Sequence, residues 1–596
     1  MGTRRWPVTA VSRTLAGLAV VGVVGLLPWL SGRSPELSVL RARSPEQEAT
    51  PEALAAVRAE LGLDGGPLPL LGRWIGDVLR GDLGTSWVSG APVGPGVAAA
   101  TGVSLTLMAA AVLVAGVTAV LLCLPALRRA AHGDPGRPPG VTGAALTALP
   151  EFVLATVLLI VGAVWLGWFA PYGWTSPASL VLPTLTLGLP AGGLLGRLLA
   201  DGLTVTSSER WVLTWQVAGA SGGQIARALV RRTLPSLTTQ FALVLVGLTG
   251  GAVTVEQVFS IPGLGRTVLG AAESQDLPTL QAGMLVLLGI AAVLGALSGL
   301  TRALLLGRAL HTGSVSVPPP ATGTTRWPWA LPAACTAVLA VVVVAGLGRD
   351  PYTSAHPRLA APGPALPLGA DGSGRDVLAR LAAGAVQTLG TATVVVLVSL
   401  LVGLLIGLLP RASAGPVEVA NAAPPVLVGV LVAAAAGTSQ LGAAVAVALV
   451  SWAPIAAHTS ALAVEIRRQP HVTVLPVLGV GPRSVTWGHV VPALLGPVSR
   501  NAALRLPGIA LALAALGFLG LGSAPPTPDW GLLLAEGMPY VERAPWTVLA
   551  PTAALVVASV LAVSLSRLQA PRRRVRPSGT RVGATTPPAE VATASS

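Results

Sequence analysis

Residues 386–409 read VQTLGTATVVVLVSLLVGLLIGLL, a run without a charged side chain. At about 1.5 Å per helical residue it reaches about 36 Å, enough to cross a hydrocarbon core about 30 Å thick. Residues 97–124, VAAATGVSLTLMAAAVLVAGVTAVLLCL, do the same earlier in the chain. Working outward from these two, apolar runs bounded by charges and turn residues give six candidate spans before residue 303, at 15–30, 97–124, 152–169, 179–195, 237–255 and 280–300. Six more follow, at 329–347, 386–409, 422–437, 441–464, 506–521 and 546–565. The pattern predicts an all-α, polytopic membrane protein with about twelve transmembrane helices in two parallel six-helix halves. The runs at 15–30, 422–437 and 506–521 are the shortest and need flanking residues to cross. The first, preceded by Arg4, Arg5 and Arg13, also fits a signal peptide; no small-x-small site follows closely, so an uncleaved span is expected.

Composition agrees. Of 596 residues, 52% are hydrophobic and 10% charged, against about 25% charged in an average soluble protein, which excludes a soluble globular enzyme. The sequence contains no lysine, so all 38 basic side chains are arginine, and neither a P-loop lysine nor a Schiff base can form. Cys123 and Cys335 lie in separate apolar runs and offer no disulfide framework or metal cluster. His458 has no histidine or carboxylate at i+3 or i+4 and reads as a helix-interface residue rather than a metal ligand. No metal and no cofactor is expected.

The net charge of +14 would suggest nucleic acid in a soluble domain, but its placement points to a membrane use. With the N-terminus inside, the outer segments 31–96, 170–178, 256–279, 348–385 and 522–545 sum to −5, leaving +19 for the rest. The positive-inside rule therefore puts both termini in the cytoplasm, and no nucleic-acid partner is expected. The first half is expected over 1–310, with a large outer segment at 31–96. A Pro/Gly/Ser/Thr joint follows at 311–326, then the second half at 327–567 and a disordered basic tail at 568–596.

Two long inner loops resemble one another. One runs Trp211-Val212-Leu213-Thr214-Trp215-Gln216-Val217-Ala218-Gly219 and on through Arg231 and Arg232 to Leu234-Pro235. The other carries Thr473-Val474-Leu475-Pro476-Val477-Leu478-Gly479, then Arg483, and ends in His489-Val490-Val491-Pro492. Their glycines are 260 residues apart, which fits a parallel duplication; two unrelated amphipathic loops would show the same punctuation. Ala220-Ser221-Gly222-Gly223-Gln224 imitates an ATPase signature, but without a P-loop or room for a nucleotide-binding domain it reads as coincidence.

At these loops the chain resembles the inner-membrane permeases of binding-protein-dependent ABC importers, in the dipeptide/oligopeptide/nickel group. Gly479 to Pro492 keeps the family's 13-residue spacing, although Thr473 stands where a glutamate is usual; Gly219 to Pro235 is longer, at 16. Flanking segments carry the resemblance further. In the first half these are Leu79-Arg80-Gly81-Asp82-Leu83-Gly84, Leu182-Pro183-Thr184-Leu185-Thr186-Leu187-Gly188-Leu189-Pro190 and Val258-Phe259-Ser260-Ile261-Pro262-Gly263-Leu264-Gly265-Arg266. In the second they are Leu368-Gly369-Ala370-Asp371-Gly372-Ser373-Gly374-Arg375-Asp376, Phe518-Leu519-Gly520-Leu521-Gly522 and Pro525-Pro526-Thr527-Pro528-Asp529-Trp530-Gly531.

The resemblance implies a fused pair of permease subunits in a bacterial plasma (inner) membrane, moving peptides or a related small solute, nickel included. Two cytoplasmic ABC ATPase subunits, an extracytoplasmic substrate-binding protein and the lipid bilayer are the implied partners. The chain itself would be no enzyme. Gly219, Arg231, Arg232 and Pro235, with Gly479, Arg483, His489 and Pro492, would form the ATPase-coupling loops, each proline stopping the backbone run before the next span. Charges near membrane depth, Glu256, Arg500 and Arg505, are the candidates for the substrate path, with headgroup contact as their alternative. Leu513 occupies a place where the family often has an acid. A secondary transporter would also show two six-span halves, and a membrane-embedded enzyme would need an acid, base or metal constellation that the outer acids Glu273, Asp276, Asp529 and Glu536 do not form with histidine in their own loops.

Overall fold

The computed structural model describes residues 6–30, 35–44, 46–132, 146, 150–306, 329–409 and 413–566. The expected joint at 311–326 and tail at 568–596 lie outside the described residues. In the first half the helices are α1 Trp6–Gly25, α2 Leu27–Leu30, α3 Pro35–Arg43, α4 Pro51–Glu60, α5 Pro67–Leu79, α6 Val93–Ala131, α7 Glu151–Leu158, α8 Val181–Ser207, α9 Arg210–Val217, α10 Gly222–Val258, α11 Leu264–Glu273 and α12 Leu277–Leu306. In the second they are α13 Ala330–Gly346, α14 Val377–Gly407, α15 Ala414–Ala422, α16 Pro425–Ala436, α17 Gln440–Arg467, α18 Pro470–Thr473, α19 Pro482–Val485, α20 Val491–Ala503, α21 Leu506–Phe518, α22 Trp530–Gly537 and α23 Trp546–Ser566. The described residues form no sheet, only two isolated bridges, Thr85 with Pro92 and Ala370 with Asp376. Each bridge closes the loop just ahead of the longest helix of its half, α6 or α14.

Every expected span coincides with helix, but the count of twelve is not established. Among the described residues six helices are long and apolar enough to cross by themselves; two more candidates are bent pairs. Val11–Gly25, Glu151–Trp165, Ala330–Gly346 and Trp546–Leu561 are apolar but shorter. The run expected at 422–437 belongs to one bent pair, Ala414–Asn421 and Pro425–Ala436, which meet at 94°. Pro424 and Pro425 explain the break: neither can donate an amide hydrogen bond to a preceding turn.

Helices approach closely where side chains are smallest. On α8, Gly188, Gly192 and Gly196 recur every fourth residue and face Ala111, Ala115 and Ala119 of α6. On α14, Gly403 and Gly407 face Ile455 and Thr459 of α17. Small residues at i and i+4 let backbones pack without a hydrophobic driving force, which the bilayer does not supply.

The halves share one core. Leu264 and Val268 of α11 cluster with Val426 and Val430 of α16, and α1 lies on α15, where Arg13 pairs with Glu418 at 2.7 Å and the Gly415 N–H donates to Ser12 Oγ at 3.1 Å. The far end of α1 is tied to its own half, since Gln281 Nε2 donates to the Val24 carbonyl at 3.0 Å.

This packing predicts the effect of a branched side chain on α8. A Cβ at Gly192 would fall 2.6 Å from Thr118 Cβ and 2.7 Å from the Ala115 carbonyl oxygen. Gly192→Val should therefore cost about 1–3 kcal/mol and lower the thermal midpoint of the detergent-solubilised protein. Gly390→Ala, which meets nothing within 4 Å, should leave the midpoint unchanged.

Candidate functional site

The two inner loops share a backbone design. At the end of α9 the Ala220 N–H donates to the Trp215 carbonyl and the Gly219 N–H to that of Gln216; in the second half Val480 donates to Leu475 and Gly479 to Pro476. This is the same 6→1 and 5→2 closure at a constant offset of 260 residues, with glycine in the left-handed region at φ +80° and +82°. A side chain at either glycine would meet nothing within 4 Å, so the backbone alone demands glycine. The next positions, Ser221 and Gly481, are extended and start the following helices. Ser221 and Gln224 form a capping box, so the stretch that imitates an ATPase signature is a helix start.

The prolines behave differently from expectation. Pro235 lies inside the continuous helix α10, and Pro492 lies in the first turn of α20, within a helical run that extends from Pro482 to Ala503. Neither stops a helix. A proline's missing N–H leaves one carbonyl unbonded, which a long helix tolerates when its flanking turns are packed. Arg232 pairs with Glu209 at 2.7 Å, while Arg231, Arg483 and His489 are exposed. Around the glycines both loops present apolar side chains outward, with Val217 83% and Val477 84% exposed, beside Leu213, Trp215, Val474 and Leu478.

At the ends away from these loops the halves repeat a second device, one the sequence did not reveal. Ser104 Oγ of α6 donates to Glu256 Oε1 and accepts from the Leu264 N–H at 2.7 Å, while the Arg266 N–H donates to Glu256 Oε2 at 3.0 Å. Glu256 is fully buried and its carboxylate caps the start of α11. Enclosed in this way it is not open to a passing solute, unlike the expectation for a residue of the substrate path. In the second half Thr388 Oγ1 of α14 donates to Asp529 Oδ2 at 3.2 Å, and Asp529 Oδ1 accepts from the Gly531 and Leu532 N–H groups at the start of α22. Ser104 and Thr388 stand eleven residues into α6 and α14. That equal spacing was the available signal, hidden because hydroxyls in apolar runs look unremarkable.

Arg500 is exposed on α20, and Arg505, half-buried at the bend before α21, donates from Nε to Asn501 Oδ1 at 3.3 Å. Among the described residues Arg505 and Glu256 share no hydrogen-bonding partner.

A charge cluster lies at the start of α14 and the end of α22 in the second half. Arg380, fully buried, reaches Asp371 Oδ2 and Glu536 Oε2 from Nη1, both at 2.6 Å, and Arg375 Nε reaches Asp371 at 2.8 Å. These groups, with Arg358 and Tyr540, line a cavity of about 460 Å³. Burial opposes the charge on Asp371, but the Arg375 and Ser373 N–H groups and the Arg380 and Arg375 guanidinium groups hold its carboxyl below the usual range. A depressed carboxylate stabilises the fold above its unfolded value of about 3.9 and loses that contribution as pH falls through the folded value. Asp371→Asn should cost about 3 kcal/mol or more by leaving Arg380 underpaired, and it should flatten the loss of thermal stability below about pH 4. Thermal midpoints of both proteins in detergent across that range measure this.

Comparison with known proteins places this geometry. The glutathione transport system permease GsiC of Salmonella paratyphi A is 31% identical over 244 residues, 40% of this chain and 78% of that protein. The di/tripeptide transport system permease DppC of Pseudomonas aeruginosa is 36% identical over 206 residues, 33% of this chain and 68% of that protein. The metal-staphylopine import system permease CntB of Staphylococcus aureus is 26% identical over 281 residues, 47% and 89% respectively. Residues 144–310 and 396–575 each match the family described as the binding-protein-dependent transport system inner membrane component. With both matches in one polypeptide, each holding one of the two glycine-closed inner loops, the chain belongs to that family as a fusion of two permease units.

Proposed function

We propose that the chain forms the whole membrane pathway of an importer for short peptides or peptide-like solutes, with two ATPase subunits docked below and a binding protein above. The observation that carries this reading is the pair of inner loops closed by the same hydrogen bonds 260 residues apart, each displaying an apolar surface. A patch of that kind on an otherwise charged inner side marks a protein interface. Each short segment, ended rigidly by its glycine, serves as a lever in an ATPase groove, and ATP-driven closure biases the bundle between inward-open and outward-open states. Arg231, Arg483 and His489 add polar contacts. Peptide cargo is favoured by the di/tripeptide and glutathione systems among the relatives.

The purified chain should hydrolyse no ATP until ATPase subunits are added; hydrolysis by the chain alone would refute the division of labour. Gly219→Val and Gly479→Val each force a branched side chain into the left-handed region at a cost of about 1–2 kcal/mol. Both should insert normally yet uncouple uptake from ATP hydrolysis or release the ATPases. Asparagine, which tolerates that conformation, should preserve coupling.

Orientation has its own test. With Cys123 and Cys335 replaced by alanine, Ala524→Cys should react with an impermeant thiol reagent from outside and Ser221→Cys only after the membrane is opened. Both positions are exposed. The reverse pattern would turn the coupling loops away from the cytoplasm.

A further inference from the structure

Glu151 opens α7 where the two halves meet. Pro150 supplies the N-cap of α7 at φ −62° and ψ 146°, and Pro424 that of α16 at φ −63° and ψ 137°. The two helices start alike, and both starts abut adjacent glycines of α10. A methyl group on Gly250 would fall 2.5 Å from Pro424 Cβ, and one on Gly251 would fall 3.4 Å from Glu151 Cγ and Cδ. Two glycines in a row thus admit a proline of one half beside a carboxylate of the other. One residue on, Phe152 meets Phe518 of the second half with ring centroids 5.8 Å apart.

Glu151 thus opens an apolar helical run at the seam between the halves. The helical run from Glu151 to Trp165 places Glu151 about 21 Å of rise from its outer end. Protein surrounds the residue densely, yet it remains partly accessible. Glu256 and Asp529 spend their oxygens on hydroxyl and backbone donors; among the described residues no arginine or histidine pairs with Glu151. The α7 N-terminus favours the anion through its dipole, but a carboxylate offers about four acceptor sites, which leaves capacity for a visitor. Where the first half has Glu151, the second has Pro425 at the start of α16, so the negative charge stands on one side of the seam only.

We propose that Glu151 is a cargo-contacting residue of the translocation path, receiving a cationic group of the passing solute, such as the protonated amine of a short peptide. The proposal rests on the permease reading. A single partly open carboxylate holds an ammonium group by a charge-assisted hydrogen bond and releases it when the seam rearranges.

Two arms test it. In the first, the purified full chain is treated with a water-soluble carbodiimide and dialanine amide, which joins a reachable carboxylate to the peptide amine as an amide while the carbodiimide takes up the lost water as a urea. Mass spectrometry should find the adduct on Glu151 and not on buried Glu256; adducts on exposed Glu542 without any on Glu151 would overturn the proposal. In the second, the full complex with its ATPases and binding protein is placed in vesicles and uptake of labelled dialanine is followed. Glu151→Gln should lose about tenfold in uptake while retaining binding-protein-stimulated ATP hydrolysis, and Glu151→Asp should recover part of it. Unchanged uptake by Glu151→Gln would overturn the assignment. Failure of the wild-type complex to import dialanine would count against peptide cargo, and the coupling arm would then decide Glu151 alone.

Discussion

The hydrogen bonds that Glu256 and Asp529 accept at the starts of α11 and α22 are what that end of the bundle depends on. In a bilayer the free N–H groups of a helix start have no water to turn to, so protein must satisfy them. Each carboxylate does so while also taking a hydroxyl from the longest helix of its half, Ser104 or Thr388. A short outer helix is thereby fixed between two spans, α10 and α12 in one half, α21 and α23 in the other. Close approach completes the arrangement: Gly265 and Gly517 pack where any side chain would collide with the capping carboxylate.

Ends fixed in this way would give the glycine loops of the proposed function something to work against. The glycine-closed segments at 211–219 and 473–479 are short and mostly exposed, and each is followed directly by a helical run. Under the proposed coupling, a push on such a segment would travel along α10, or through α19, α20 and the bend at Arg505, toward the seam. That seam is held by a shared apolar core and by the α1–α15 contact, the kind of interface that supports two discrete packings better than continuous deformation.

Much of the architecture was legible in the sequence because hydrophobic length is a strong signal: every apolar run is helical. The number of crossings was less legible, since Pro424–Pro425 bends one run by 94° and four helices are short. The inner glycines could be found because a left-handed residue at a helix end has few alternatives to glycine. The prolines misled, because Pro235 reads as a stop but sits in a packed helix. Glu256 misled in the opposite sense, since an acid at a span end looks exposed until Ser104, 152 positions away, is brought beside it. Glu151 falls just ahead of the apolar run at 152–169 and nothing in the sequence marks it; only Gly250 and Gly251 facing Pro424 and Glu151 across the seam show that it stands between the halves.

The claim most in need of a direct check is that the two inner loops are equivalent ATPase levers. A photoreactive amino acid placed at Val217 or Val477, with the assembled complex irradiated in membranes, reports what each loop touches. The account predicts crosslinks to ATPase subunits from both positions and none from Trp168, an exposed residue on the outer side. Crosslinks from neither loop, or from one alone, would contradict it.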